Sequence, residues 1–178
     1  MIEVLQQLVQ QVGKNVVVEN PAIPNALNTQ TMELLSGNFV QELMQKASSV
    51  EGIQQIAGLL GNQSNINASN PLISSMIEKI APTLTQTLNI NPTTAQSVVE
   101  SLVPTVMGLL SSKITNPNDT SVSMESVIQN LAGGSTDVSS IMGQIGSVFS
   151  DGKIDMNDLK GIADKGGLGD LLGGFFGK

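Results

Sequence analysis

The sequence contains no cysteine, no histidine and no arginine among its 178 residues. Without cysteine there is neither a disulfide nor a thiolate nucleophile, and without histidine the Ser-His-Asp and Cys-His catalytic arrangements and histidine-based metal sites are also excluded. Carboxylates, lysines and hydroxyls are the remaining candidate catalytic groups. We therefore expect no enzyme activity, no resident cofactor and no small-molecule substrate.

Positive charge and long apolar runs are also scarce. Eight lysines stand against fifteen acidic residues, for a net charge of -7. This acidic balance leaves no basic stripe to neutralise phosphates, so we expect no nucleic-acid partner. The opening "MIEVLQQLVQQVGK" lacks the basic start and continuous apolar region of a secretory signal, and no run of 18 apolar residues occurs. We expect a soluble, cytoplasmic protein.

Aromatic residues are nearly missing, since four phenylalanines make up the 2% aromatic content, whereas 40% of the residues are hydrophobic. A core of Leu, Ile, Val, Met and Ala favours closely packed helices. We predict an all-α fold, a compact bundle of kinked antiparallel helices with a Gly-rich C-terminal amphipathic tail. The predicted division is an N-terminal amphipathic helix at 1–14, a helical domain at 15–165 with a helical hairpin at 70–112, and a tail at 166–178.

Apolar residues recur at helical spacing near the N-terminus, at Ile2, Leu5, Val9 and Val12, and predict a helix over about residues 2–13. This helix either docks on the domain or forms a short coiled-coil contact between copies. The following "NVVVE" at 15–19 has the composition of a β-strand. A second helical stretch is predicted at about 29–47.

Two segments in the middle of the chain repeat each other. "MIEKIAPTLTQTL" at 76–88 aligns with "VVESLVPTVMGLL" at 98–110 at an offset of 22 residues, and an Asn-Pro dipeptide begins each unit, at 70–71 and 91–92. Asparagine caps a helix start, and proline at the first helical position loses an amide that has no partner there. The repeat predicts two antiparallel helices joined by a short turn at 89–91.

Each repeat carries one internal proline and one glutamate at equivalent positions. Proline inside a helix removes a hydrogen bond and clashes with the carbonyl four residues earlier, so both helices should kink or break near Ala81 and Val103. Glu78 and Glu100 lack a second polar group at helical spacing, and we interpret them as solvated side chains or kink caps and not as an acid/base pair. Beyond the loop at 115–120, shorter helices are predicted at 124–131 and 138–148.

With "LNINPTTAQSVVESLVPTVMGLLSSKI" and the C-terminal "GGLGDLLGGFFGK", the chain resembles the YidB-like family of bacterial domains of unknown function over about residues 51–178. In that family a short polar turn introduces a helix with a Leu-rich, Pro-containing stretch, and many members end in an acidic "DGDG"-type loop and a Gly/Leu tail. The resemblance implies an all-helical fold and no established activity.

The segment "FSDGKIDMNDLKGI" at 149–162 holds the candidate metal ligands. With Gly152 at the sixth position of an EF-hand loop running over 147–158, Asp151, Asp155 and Asp158 take the fifth, ninth and twelfth positions. Phe149 stands where the third ligand belongs, which departs from the acidic-loop members of the family. Either the segment is a turn followed by a helix capped by Asp155, or it binds calcium weakly.

The tail places its large apolar residues at i, i+3, i+4, i+7 and i+8, namely Leu168, Leu171, Leu172, Phe175 and Phe176. Glycine destabilises a helix by about 0.5 to 1 kcal/mol per position relative to alanine, so this helix needs a surface against which to bury its apolar face. Its own domain, a second copy, another protein and a membrane surface are the alternatives, and the tail is too short to span a membrane.

Our functional hypothesis is a non-enzymatic structural or interaction protein that self-associates into a homo-oligomer through its terminal amphipathic segments. Apolar faces at both ends, and surfaces rich in Gln, Asn, Ser and Thr with little charge repulsion, motivate it. The alternative is a calcium-responsive helical module that uses the loop at 147–158. Contact with a membrane surface is not favoured.

Overall fold

The computed structural model describes residues 2–116, 118 and 122–133, all of them within the first of the two units into which the chain divides, Met1–Thr136. Over these residues the fold is all-α, as the sequence predicts. Six α-helices follow one another in the described part of the chain: α1 Ile2–Gly13, α2 Asn28–Ala47, α3 Val50–Gly61, α4 Pro71–Leu88, α5 Pro92–Thr115 and α6 Met124–Leu131.

Helix α1 buries the apolar stripe that its sequence spacing predicts. Leu5, Leu8, Val9 and Val12 are buried, and the helix packs against α2 and α5. Its glutamines at 6, 7, 10 and 11 are exposed. The docked alternative therefore describes α1, and its apolar face belongs to the core of the helical unit.

The strand-like segment at 15–19 is not a strand, and this expectation was wrong. Lys14–Val18 forms a π-helical turn that continues α1, with the Glu19 amide donating to the Lys14 carbonyl at 3.2 Å. A strand needs a neighbouring strand for its backbone groups, and the described residues include none. A wide helical turn satisfies the amides locally and still buries Val17.

Helices α2 and α3 meet at a two-residue corner, Ser48 and Ser49. Ser49 caps α3, since its hydroxyl accepts a hydrogen bond from the Gly52 amide at 3.1 Å. A Cβ atom at position 52 would overlap the Lys46 carbonyl oxygen. Because that oxygen is part of the backbone and has little freedom to move, the corner requires glycine at this position.

The predicted hairpin is the most extensively packed helix pair, α4 with α5. Asn70 and Asn91 cap the two helices through side-chain oxygens that accept from the amides of Leu72 and Thr93, both at 2.9 Å. A left-handed residue, Asn89 with φ 52°, ends α4. Neither helix breaks at its internal proline, because α4 and α5 each run through it as one helix.

Helix α5 occupies the centre of the bundle. It packs against α1 and α3 as well as α4, whereas α4 packs mainly against α2 and α5. A buried hydrogen bond fixes α5 to the end of α3, where the Ser111 hydroxyl donates to the Leu60 carbonyl at 2.6 Å. That carbonyl is one of the helix-end acceptors that lack an intrahelical donor. Position in the bundle thus distinguishes two helices that share one sequence pattern.

Candidate functional site

A groove of about 310 Å³ lies along the hairpin, between the second half of α4 and the first turns of α5. We call it the hairpin groove. Its lining comprises four apolar and four polar residues: Ile77, Ala81, Pro82 and Pro92, with Glu78, Thr85, Gln86 and Gln96. This volume is at the lower end of those found for ligand pockets, so the groove has room for one side chain or a small ligand.

Two side chains that are nearly buried form the apolar floor of the hairpin groove. Ile77 is 6% exposed and Ala81 is 8% exposed. The rings of Pro82 and Pro92, both exposed, contribute from α4 and from the start of α5. Helical spacing places 77, 78, 81, 82 and 85 along one stripe of α4, which accounts for the length of the groove.

Two of the four polar side chains of the groove, Glu78 and Gln96, offer hydrogen-bond acceptors. Glu78 lies at the groove, and its carboxylate accepts from the Ser74 hydroxyl at 3.5 Å. Gln96 uses its Nε2 to donate to Glu100 at 2.8 Å, which leaves its carbonyl oxygen as an acceptor. The backbone carbonyl of Glu78 receives no amide hydrogen from position 82, because proline has none.

No lysine lines the hairpin groove. Lys79, the neighbour of Glu78 in sequence, belongs to a different contact, where its Nζ lies 2.8 Å from Glu42 and 3.0 Å from Gln45 on α2. The groove therefore presents a carboxylate with neutral hydrogen-bond partners, and the nearest lysine in sequence is used to join α4 to α2.

The two glutamates at equivalent repeat positions do not form one site. Glu78 lines the groove, while Glu100 is not among the lining residues and is reached through Gln96. Each carboxylate is engaged by a neutral side chain four residues earlier on its own helix, so the expectation that neither has a polar group at helical spacing was wrong. The groove itself was not predicted, because repeat spacing does not reveal which stripe of a helix its neighbours leave uncovered.

The residues proposed from sequence as metal ligands, Asp151, Asp155 and Asp158, lie outside the described residues. So do the interaction residues Leu168, Leu171, Leu172, Phe175 and Phe176, and the helix predicted at 138–148. Across the described residues, no three His, Cys, Asp or Glu side chains are grouped to hold a metal ion. Within the same part of the chain, every helix is too short or too polar to cross a membrane.

Comparison with protein families gives a match over the C-terminal part of the chain. The model of a family described as bacterial protein of unknown function (DUF937) matches residues 70–178, which is more than half of the chain. The match begins at the asparagine that caps α4, so it includes the hairpin groove and all the candidate residues of the C-terminal quarter. Neither the curated proteins nor the solved structures give a match.

Proposed function

The chain belongs to this bacterial family of unknown function, the YidB-like family, and on that premise we propose that it is a non-enzymatic interaction protein that self-associates. The proposed contact is the C-terminal segment 166–178, with Leu168, Leu171, Leu172, Phe175 and Phe176 as its apolar residues. Helix α1 is no longer part of the proposed contact, because its apolar face is buried in the helical unit.

The observation that carries the proposal is that the described helices complete a core from their own side chains. Fully buried leucine, isoleucine, valine, methionine and phenylalanine side chains come from all six helices, and four large hydrophobic residues are exposed among those described: Ile2, Val18, Met44 and Val50. Because the described helices already fill their own core, we assign the apolar residues of the tail to a contact with a second copy.

Two aromatic side chains dominate the expected energy of the contact. Burial of each phenylalanine contributes about 1.5 to 3 kcal/mol, which is offset in part by the ordering of a glycine-rich segment. Truncation of both should therefore dissociate the assembly.

The test is size-exclusion chromatography with light scattering on the full chain, comparing the wild type with a Phe175→Ala and Phe176→Ala double variant. We expect an oligomer that the double variant converts to monomer, while the thermal unfolding of the monomer is unchanged. The matched control removes exposed apolar side chains from the described unit, as Met44→Ala with Val50→Ala, and should leave the oligomer intact.

Two results would contradict the proposal. One is a wild type that is monomeric at every concentration measured. The other is a double variant whose melting temperature falls while its mass does not change, since the tail would then belong to the core of its own chain.

The loop at 147–158 supports a second proposal, a calcium-responsive module, and the observation in its favour is the carboxylate spacing around Gly152. Titration calorimetry with calcium chloride should show binding that an Asp151→Ala and Asp155→Ala double variant removes. A matched double variant, Glu51→Gln with Glu125→Gln, removes two exposed carboxylates from α3 and α6 and should leave binding unchanged. Absence of heat at millimolar calcium would contradict this proposal.

A further inference from the structure

The hairpin groove combines an apolar floor with a set of acceptors at its edge. Ile77 and Ala81 form the floor, and the acceptors are the Glu78 carboxylate and the Gln96 side-chain carbonyl. A ligand that matches both features has a hydrocarbon stem and a cationic head with several donors. Lysine and arginine side chains both have this form, and arginine fits better because its planar fork of donors can engage two acceptors at once, whereas the lysine ammonium is a compact point charge.

Charge around the groove favours the same ligand. The protein carries a net charge of -7 and has no arginine of its own. Glu78 is exposed, lies at the groove and accepts from a serine hydroxyl, and Gln96 brings the Glu100 carboxylate close to the same edge. A charge-assisted hydrogen bond is stronger beside apolar surface. The stem of the ligand displaces water there, which lowers the local dielectric constant.

The internal repeat allows a comparison of this stripe with its equivalent on α5, which other helices cover. The positions of α5 equivalent to 77, 81 and 85 of α4 are Val99, Val103 and Met107, all of which are fully buried. On α4 the same stripe includes Thr85, which is half-buried. The stripe is thus enclosed along its whole length on α5, which has more helical neighbours, whereas on α4 it is open at Thr85 and forms the floor of a groove.

We propose that the hairpin groove binds the side chain of an arginine presented by a partner protein. The stem lies on Ile77 and Ala81, between the rings of Pro82 and Pro92, and the guanidinium donates to Glu78 and Gln96. Because the chain has no arginine, the partner is a different protein and not a second copy. This site is independent of the self-association contact proposed for the C-terminal segment.

The experiment titrates the full chain with n-butylguanidinium chloride, a surrogate of the arginine side chain, and follows backbone amide signals by NMR. We expect saturable shifts at millimolar concentration confined to residues 77–86 and 92–96. 1-Butanol, which has the stem without the charge, and guanidinium at the same millimolar concentration, which has the charge without the stem, should each bind about tenfold more weakly or worse.

Two variants separate the charge from the floor. Glu78→Gln, at an exposed position, should weaken n-butylguanidinium binding about tenfold or more and so abolish its advantage over 1-butanol. The matched control is Glu51→Gln on α3, another exposed glutamate with a neutral side-chain partner, Gln55 at 3.3 Å, and it should bind as the wild type does. Ala81→Leu should fill the floor and prevent binding of both stemmed probes.

The proposal is overturned if 1-butanol binds as tightly as n-butylguanidinium, or if Glu78→Gln binds like the wild type. It is also overturned if the amide shifts are spread over the acidic surface in place of the groove. Glu78→Gln changes an exposed side chain, so we expect it to fold as the wild type does. The test therefore remains decisive even if Ala81→Leu does not fold.

Discussion

Helices α4 and α5 carry the same sequence unit but occupy different places in the bundle. Each begins with Asn-Pro, each has a glutamate four residues before an internal proline, and each has a threonine directly after that proline. The threonine hydroxyls even make the same bond, Thr83 to the Lys79 carbonyl at 3.1 Å and Thr105 to the Ser101 carbonyl at 2.6 Å. Local geometry thus follows the repeat.

Burial follows the repeat at Ile77 and Ala81, which are buried like Val99 and Val103, but it differs between Thr85, which is half-buried, and Met107, which is fully buried. The stripe that is enclosed at Val99, Val103 and Met107 of α5 is the hairpin groove on α4. The difference arises from the neighbours, since α5 has α1 and α3 beside it as well as α4. Two copies of one sequence unit therefore both contribute to the core, and one of them, α4, also leaves a groove open to solvent.

The largest expected effect is at the third pair of equivalent positions in this stripe, Met107 on α5 and Thr85 on α4. Met107→Ala should lower the free energy of unfolding by about 3 kcal/mol, because it leaves a cavity beside fully buried neighbours. Thr85→Ala should change it by no more than about 0.5 kcal/mol. Urea unfolding followed by circular dichroism measures both values, since the chain has no tryptophan or tyrosine for fluorescence. Similar losses at both positions would show that the two stripes are equally packed.

The second-largest effect is expected at the equivalent positions 81 and 103, where each residue is replaced by the one found at the other position. Val103→Ala removes two methyl groups from a fully buried site and should cost about 2 kcal/mol. Ala81→Val adds the same groups where the groove has space, so its cost should stay below about 1 kcal/mol, in part from the weaker helix propensity of valine. The same urea titrations check this prediction, and an equal cost for both changes would contradict it.

The helix caps should behave alike, because they depend on the repeat and not on the neighbours. Asn70→Ala and Asn91→Ala should each lower the free energy of unfolding by about 1 kcal/mol. Asn15→Ala, at an exposed asparagine that caps no helix, is the control. Losses that differ between the two caps by more than about 1 kcal/mol would show that tertiary position also controls the caps.

The smallest effect is expected at the threonines after the prolines. Thr83→Ala and Thr105→Ala should each change stability by about 0.5 kcal/mol or less, because a hydroxyl that bonds the carbonyl four residues earlier competes with the backbone amide for it. Thermal unfolding by circular dichroism provides the measurement. A loss above about 1 kcal/mol at either position would show that the hydroxyl is needed to stabilise the helix beside its proline.

Much of the helical architecture could be predicted because its signals are local. The predicted bounds of the first helix, about 2–13, agree with Ile2–Gly13, and those of the second, about 29–47, with Asn28–Ala47. The hairpin, its turn at 89–91 and α6 also agree with the structure. The resemblance to the YidB-like family is confirmed, although the matched region begins at residue 70 and not near 51.

The sequence-based predictions failed or were silent where structure depends on distant contacts. Three consecutive valines favour a strand by propensity, but the chain continues α1 there as a π-helical turn. Helix α3 is an exception, since it was missed although its signals are local: Ser49 caps it, and apolar residues recur at helical spacing from Ile53 to Leu60. The groove depends on which helices lie beside α4, and no spacing within the hairpin encodes that information.

The hydrogen bond from Ser111 to Leu60 has a consequence for how this chain can be divided. Residue 60 precedes the family match and residue 111 lies inside it, and α1 and α3 cover the α5 surface that the match includes. A fragment cut at residue 70 would leave that surface of α5 in water and remove the donor's partner. Sequence similarity therefore starts in the middle of a folding unit, and domain boundaries for expression of this protein should include residues 2–69.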